Sequence, residues 1–208
     1  MSLFSKGGGK QTRALRAYLR RRARAAPARR PELDCRAFPK LFTHRAVVFT
    51  DTADFTVRTA RDGILHFLML FEQLLPLAER AVKRHAGRIV KVEGDSLLLL
   101  YPEVTSACRG VREIDKTLAG FNRGRPENER LRFSYGIGAG DILELEGDLF
   151  GLEVNLASKA GEDLARPDEA LLTPAAAAAL PPGLRKRVVP YRTVAFGGAD
   201  YEVKRLEL

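Results

Sequence analysis

Tryptophan is absent, methionine and cysteine occur twice each, and no acidic residue stands in the first 30 positions. Each shortage excludes something. Two cysteines, Cys35 and Cys108, make neither a disulfide framework nor a metal site. They read as reduced thiols of a cytosolic protein. Cys108 falls on an expected helix, as a small buried residue. No apolar run approaches the roughly 18 residues of a membrane span. Met1 to Lys10 lacks the apolar core of a secretory signal.

The missing acids locate the charge. The 208 residues carry 35 Lys+Arg and 26 Asp+Glu, a formal net of +9. Ten of the basic residues lie within positions 1–30: Lys6, Lys10, Arg13, Arg16, Arg20, Arg21, Arg22, Arg24, Arg29 and Arg30. Positions 31–208 then hold 25 basic and 26 acidic residues, a net of −1. The chain reads as a basic, partly helical arm over residues 1–34 and a near-neutral domain over 35–208. In composition it is 45% hydrophobic and 29% charged, as ordinary globular proteins are.

The Gly7-Gly8-Gly9 run and the stretch Pro27 to Pro31 bracket a helix-compatible segment, Gln11 to Ala26. Ala14, Leu15, Tyr18 and Leu19 give it a short apolar stripe. Such a basic amphipathic segment suits an anionic membrane, nucleic acid or a regulatory protein, or is a solvated tail. On the first of these, the protein is cytoplasmic and peripheral at the membrane.

From Arg45 the pattern turns globular. Ala46 to Phe49 reads as a buried strand ending at Asp51, and Asp62 to Arg84 as a helix that Pro76 kinks or restarts. Arg88–Val92 and Ser96–Tyr101 flank the hairpin signal Glu93-Gly94-Asp95. Val104 to Phe121 is a second amphipathic helix. Leu131–Ile137 and Ile142–Leu145 read as two strands around a Gly-rich turn, and Leu152 to Ala165 as a helix. Ala170–Thr173 is a short strand, and Thr173-Pro174 caps and opens an Ala-rich helix. Val188 to Leu208 forms two strands about Gly197-Gly198. This order predicts an α+β fold: a ferredoxin-like βαββαβ core, with helices on one face and extra C-terminal strands and helices.

Asp51 and Asp95 then stand at the ends of neighbouring strands. Paired hard oxygen ligands suit Mg²⁺ or Mn²⁺, and two such ions could clamp a triphosphate. Taken singly, each is better explained as a cap or a turn residue; together, flanked by Thr50, Thr52 and Gly94, they lean toward function.

Four segments carry a resemblance: Phe49-Thr-Asp-Thr-Ala-Asp-Phe-Thr56, Lys91-Val-Glu-Gly-Asp95, Tyr135-Gly-Ile-Gly-Ala-Gly140, and Asp148 to Ser158 with its Val-Asn-Leu-Ala-Ser ending. In order and spacing they resemble the motifs of class III adenylate/guanylate cyclases, from about Arg45 to Thr173. The resemblance implies a lyase that turns ATP into 3′,5′-cyclic AMP and pyrophosphate. It implies two ions, Mg²⁺ or Mn²⁺, held by Asp51, Asp95 and the Thr52 carbonyl, with Phe55 and Thr56 in the phosphate cradle. Lys91 and Asp148 would read the base, and Asn155 would orient the ribose and stabilise the transition state. The site would form between two chains of a head-to-tail homodimer. Adenine offers an amino donor and a ring acceptor, which Asp148 and Lys91 match; guanine reverses the pattern.

The chain departs from that pattern in places. Lys159 stands where the family has an arginine, keeping the charge but not the planar fork. A C-terminal lysine that binds the triphosphate is missing, with Arg192 or Lys204 as substitutes. Asp54 replaces a small residue, and the Gly140 to Asp148 loop is short. These departures motivate two alternatives: a weak or inactive nucleotide-binding module, or a cyclase for another nucleotide.

Overall fold

The computed structural model describes residues 9–208. Lys6 of the basic arm, and all but Gly9 of the triple glycine, lie outside the described residues. The described residues open with α1 (Lys10–Arg24) and α2 (Arg30–Leu41), joined by a short 3₁₀ turn at Pro27–Arg29. Then come β1 (Thr43–Thr52), α3 (Phe55–Asp62), α4 (Ile64–Arg84), β2 (Arg88–Glu93), β3 (Ser96–Tyr101) and α5 (Val104–Asn122). The second half holds β4 (Phe133–Leu145), β5 (Asp148–Phe150), α6 (Leu152–Ser158), a π-helical turn (Lys159–Leu164) and β6 (Ala170–Leu172). α7 (Pro174–Ala178), α8 (Pro182–Arg185), β7 (Val188–Phe196) and β8 (Ala199–Leu206) complete it.

The strands lie in the order β2-β3-β1-β4-β6-β8-β7, with β5 paired to β4. The first four reproduce the expected βαββαβ arrangement. β3, Ser-Leu-Leu-Leu-Leu-Tyr, is buried along its whole length. Strand alternation sends Leu97, Leu99 and Tyr101 to one face, against α4 and α5, and Leu98 and Leu100 to the other. α6 covers that second face through Val154 and Ala157, so helices pack on both faces of the sheet rather than one.

The Gly-rich segment is not a turn. Tyr135 to Gly140 lies within one 13-residue strand that pairs with β1 from Thr43↔Ile142 to Thr52↔Phe133. The glycines serve close approach: a Cβ on Gly136 would stand 1.9 Å from the Ala157 carbonyl oxygen, and one on Gly138 2.5 Å from that of Glu153. α6 therefore lies almost on the strand. The real turn is Glu146-Gly147, both with positive φ, as a two-residue hairpin requires. That compact turn is why the segment before Asp148 is short.

Helix α4 runs unbroken through Pro76. Its apolar side, Phe67, Leu70, Phe71, Leu74 and Ala78, is buried, and packing outweighs one lost backbone bond. Thr173 caps α7 as expected, accepting from the Ala176 amide, with Pro174 next. No described helix is long and apolar enough to cross a membrane.

The described part of the basic arm, from residue 9 onward, is folded. Leu15 of α1 and Leu41 of α2 cluster with Leu143 and Leu145 of β4, with Tyr18, Ala37 and Phe42 packed alongside. α2 has Pro31 in its first turn and Pro39 near its end, a composition that conceals it in the sequence.

Candidate active site

β1 carries Asp51 to the end of the central pair of strands. β3 runs antiparallel beside it, in register from Ala46↔Tyr101 to Phe49↔Leu98. Beyond the last registered pair, side chains continue the ladder. Thr50 Oγ1 accepts from the Leu97 amide (2.9 Å), and Thr52 Oγ1 donates to the Asp95 carbonyl (2.7 Å). Ser96 Oγ donates weakly to Asp51 Oδ1 (3.4 Å). Both Thr50 and Thr52 are buried. The hairpin turn is thereby tied to the end of β1, and Asp51 and Asp95 converge as the spacing predicts.

Their electrostatics are unfavourable in the bare protein. Burial, then the Asp95 carboxylate, then Glu162 push the Asp51 carboxyl up to about 6, against a slight opposing pull from Ser96. Burial also raises Asp95. Two half-buried like charges are what a divalent cation relieves, so the donor set fits Mg²⁺ or Mn²⁺. No group of three or more His, Cys, Asp or Glu ligands occurs among the described residues. The two carboxylates and the Thr52 carbonyl would have to share the ions with substrate phosphates.

After Thr52 the chain turns into α3. Asp54 is its N-cap and takes the left-handed conformation (φ 59°), exposed and making no side-chain cap bond. Such a backbone suits a small residue, and Asp tolerates it better than most. Phe55 packs edge-on against Phe67 (4.7 Å between rings), so only its backbone is free to serve a ligand; Thr56 is exposed. The first-turn amides of α3 are a natural anion cradle.

A second cluster lies on β2 and β5. A register shift between Ile89 and Lys91 leaves Val90 out of the ladder, and pairing resumes at Lys91↔Leu98, as at a bulge. Lys91 Nζ lies 3.5 Å from Asp148 Oδ2 and 2.8 Å from Glu93 Oε2. Glu93, which sequence reasoning missed, contributes most to raising Lys91 above its usual range. The Leu149 amide donates to Asp148 Oδ1 (2.9 Å). Among the described residues, no hydrogen bond or ion pair joins Lys91 and Asp148 to the Asp51–Asp95 pair.

Asn155 is exposed on α6, and Lys159 follows one turn later, paired with Asp163. The π-helical turn after α6 is held tight by Gly161, whose carbonyl accepts from Ser134 Oγ (2.8 Å). A Cβ there would stand 2.9 Å from the Phe49 carbonyl. This turn brings Glu162 and Asp163 into the field of Asp51. A further residue escaped sequence reasoning. Glu153 Oε2 accepts from the Ala139 amide of β4 (3.1 Å) and from Thr173 Oγ1 (2.6 Å), anchoring α6 two residues before Asn155. Arg192 and Lys204 lie on β7 and β8; the Arg192 guanidinium sits over the Tyr191 ring, 5.4 Å from its centroid.

No protein-family model matches the chain. A protein of Rhizobium meliloti named Putative adenylate cyclase 3 is 27% identical over 163 residues, 78% of this chain and 26% of that protein. This chain thus spans about a quarter of that relative. An adenylate/guanylate cyclase/hydrolase from Silicibacter pomeroyi superposes with a TM-score of 0.67 at 22% identity, over 79% of this chain and 96% of its own. The chain has the fold of class III nucleotidyl cyclase catalytic domains. The guanylyl cyclase Cya2 has the same fold, with a TM-score of 0.66 at 18% identity, over 79% and 92% of the two chains. Since neighbours of this cyclase fold are named for both adenylate and guanylate, fold alone does not choose the base.

Proposed function

We propose that this chain is the catalytic domain of a class III adenylate cyclase, active as a homodimer with Mg²⁺ or Mn²⁺. The observation that carries the proposal is the convergence of Asp51 and Asp95 at one end of the sheet. The Lys91–Asp148 pair supports the choice of adenine, since Asp148 accepts from the amino group and Lys91 donates to the ring nitrogen. When bound, the divalent ions supply charge neutralisation of the triphosphate and a lowered pKa for the ribose 3′-hydroxyl. Asp51, Asp95 and the Thr52 carbonyl would hold them. The 3′-oxygen forms its bond to the α-phosphorus, and the bond from that phosphorus to the β-phosphate oxygen breaks. The 3′-proton leaves to solvent and pyrophosphate departs. The first-turn amides of α3, at Phe55 and Thr56, cradle phosphate oxygens. Asn155 orients the ribose, and Lys159 offers a positive charge to the crowded phosphorus.

Among the described residues no hydrogen bond or ion pair joins the two clusters, which agrees with a site shared between copies. Val92, Phe150 and Leu152, 43%, 39% and 54% exposed, are apolar neighbours in sequence of Lys91, Asp148 and Asn155. A second copy would cover them. The test is product analysis with each of four nucleoside triphosphates and Mn²⁺, comparing the native chain with Asp51→Ala. Cyclic AMP should dominate and disappear in the variant; no cyclic product from any triphosphate would overturn the proposal. Mixing equal amounts of Asp51→Ala and Asn155→Ala should restore about a quarter of native activity, because half the dimers then contain one intact site.

A second reading, a nucleotide-binding module without turnover, is favoured by one observation. Lys159 is engaged by Asp163 rather than free for phosphate. Saturable ATP binding without product would support it. The two free cysteines, Cys108 buried and Cys35 exposed, agree with a reducing, cytoplasmic setting.

A further inference from the structure

The arm presents a feature that the cyclase reading does not use. Residues 10–41 contain eleven basic and two acidic side chains, a net of +9 that equals the charge of the whole chain. The two acids are already engaged. Asp34 on α2 accepts from Arg22 Nε (2.7 Å) and Arg22 Nη2 (3.1 Å), and also from the Tyr18 hydroxyl. Glu32 pairs with Arg36 (2.6 Å). The Asp34 bonds, with Arg30 Nε donating to the Ala25 carbonyl (3.3 Å) and Gln11 to the Leu41 carbonyl (3.2 Å), hold α1 and α2 as a fixed hairpin, while Glu32–Arg36 lies within α2.

Between the helices runs a groove of about 600 Å³, lined by Arg21, Arg24, Arg29 and Arg36 with Glu32 and Leu33. The guanidinium groups of Arg21, Arg24 and Arg29 have no hydrogen bond or ion pair among the described residues. We propose that this groove binds the phosphodiester backbone of a nucleic acid, without regard to sequence.

Three features favour that ligand. The cations are all arginine, whose planar forks match phosphate oxygens two at a time. The surface is concave, which suits a narrow polyanion better than a flat bilayer. The third is the direction of the apolar stripe. Leu15, at 7% exposure, is spent on Leu143 and Leu145 of the sheet, and Tyr18 packs there too. A surface helix needs a continuous apolar face to enter a membrane; here Leu15 and Tyr18 are turned to the sheet, and the large apolar side chains left exposed, Leu19 on α1 and Phe38 on α2, make no such face. A rigid hairpin also places the forks before binding, so less ordering entropy is lost than on a flexible tail.

The test is fluorescence anisotropy of the full chain with a labelled 20-nucleotide single strand and the matching duplex. It needs no turnover, so its failure is separate from any failure of the cyclase reading. Binding should weaken with salt at a log–log slope of about −3, for roughly four phosphates neutralised. The variant R21Q/R24Q/R29Q/R36Q should bind at least tenfold more weakly. R109Q/R112Q, exposed arginines on α5, should bind as the native chain does. Circular dichroism and cyclic-nucleotide production should be unchanged in both, since these side chains lie outside the candidate active site. Four results overturn the proposal: no saturable binding at 50 mM salt, equal loss in the α5 variant, equal competition by poly-glutamate, or retention on phosphatidylglycerol vesicles at salt that releases the oligonucleotide.

Discussion

The two candidate half-sites are built differently. Asp51 and Asp95 are half-buried and tied into the sheet by Thr50, Thr52 and Ser96. Lys91 and Asp148 form a surface pair, and Glu93 competes for the same lysine. The first arrangement concentrates unfavourable negative charge that a cation would relieve. The second holds loosely the pair proposed above to read the base, where a base edge could displace Glu93 at little cost. On the proposed roles, rigidity is placed where charge is to be clamped, and adaptability where an edge is to be read.

Variants can break this contrast. The largest effect is expected for Asp51→Ala, which removes one of two clamping carboxylates. Cyclic-nucleotide production should fall by about 10³-fold or more, measured with Mn²⁺ at saturation. Next comes the double variant Lys91→Ala/Asp148→Ala. Overall turnover should fall less than preference does: the ratio of ATP to GTP turnover should drop about 10- to 100-fold. Unchanged selectivity would sink the base-reading assignment.

A smaller effect concerns stability. Asp51 titrates near 6 in the folded chain, above its ordinary value of 3.8. The folded state therefore holds its proton more tightly than the unfolded state does. Stability is greatest below about 4 and falls as pH rises to about 6, beyond which the full cost is present. Asp51→Asn should remove that cost. Without metal, the variant should melt about 2–4 °C above the native chain at pH 8 and close to it at pH 4, on the order of 1 kcal/mol after allowing for solvent screening. Added Mn²⁺ should raise the native melting temperature and leave the variant's nearly unmoved. The smallest effect is expected for Glu93→Gln. Freeing Lys91 from its nearer partner should sharpen ATP preference by no more than a few-fold.

Much of this was readable along the chain. Asp51 follows a run of buried β-formers, and Asp95 sits in a hairpin turn, so local pattern and turn chemistry were enough to bring them together. The glycines of β4 were legible as special but not as strand. Their reason lies across the sheet, in the carbonyls of α6 that a Cβ would strike. Glu93 shares a strand face with Lys91 two residues away, and its competition with Asp148 follows only once Asp148 of β5 is placed beside that lysine. Glu153 is an ordinary helix acid until β4 and Thr173 are placed beside it.

The sequence by itself determined the βαββαβ order, the two metal-binding candidates and the location of the charge, because periodicity, turn residues and composition are local properties. Only the tertiary structure decided that residues 10–41 are a docked hairpin and that α6 rides on a glycine track. Those depend on which surfaces meet, and residues distant in sequence, such as Leu15 and Leu143, carry no local mark of their partner.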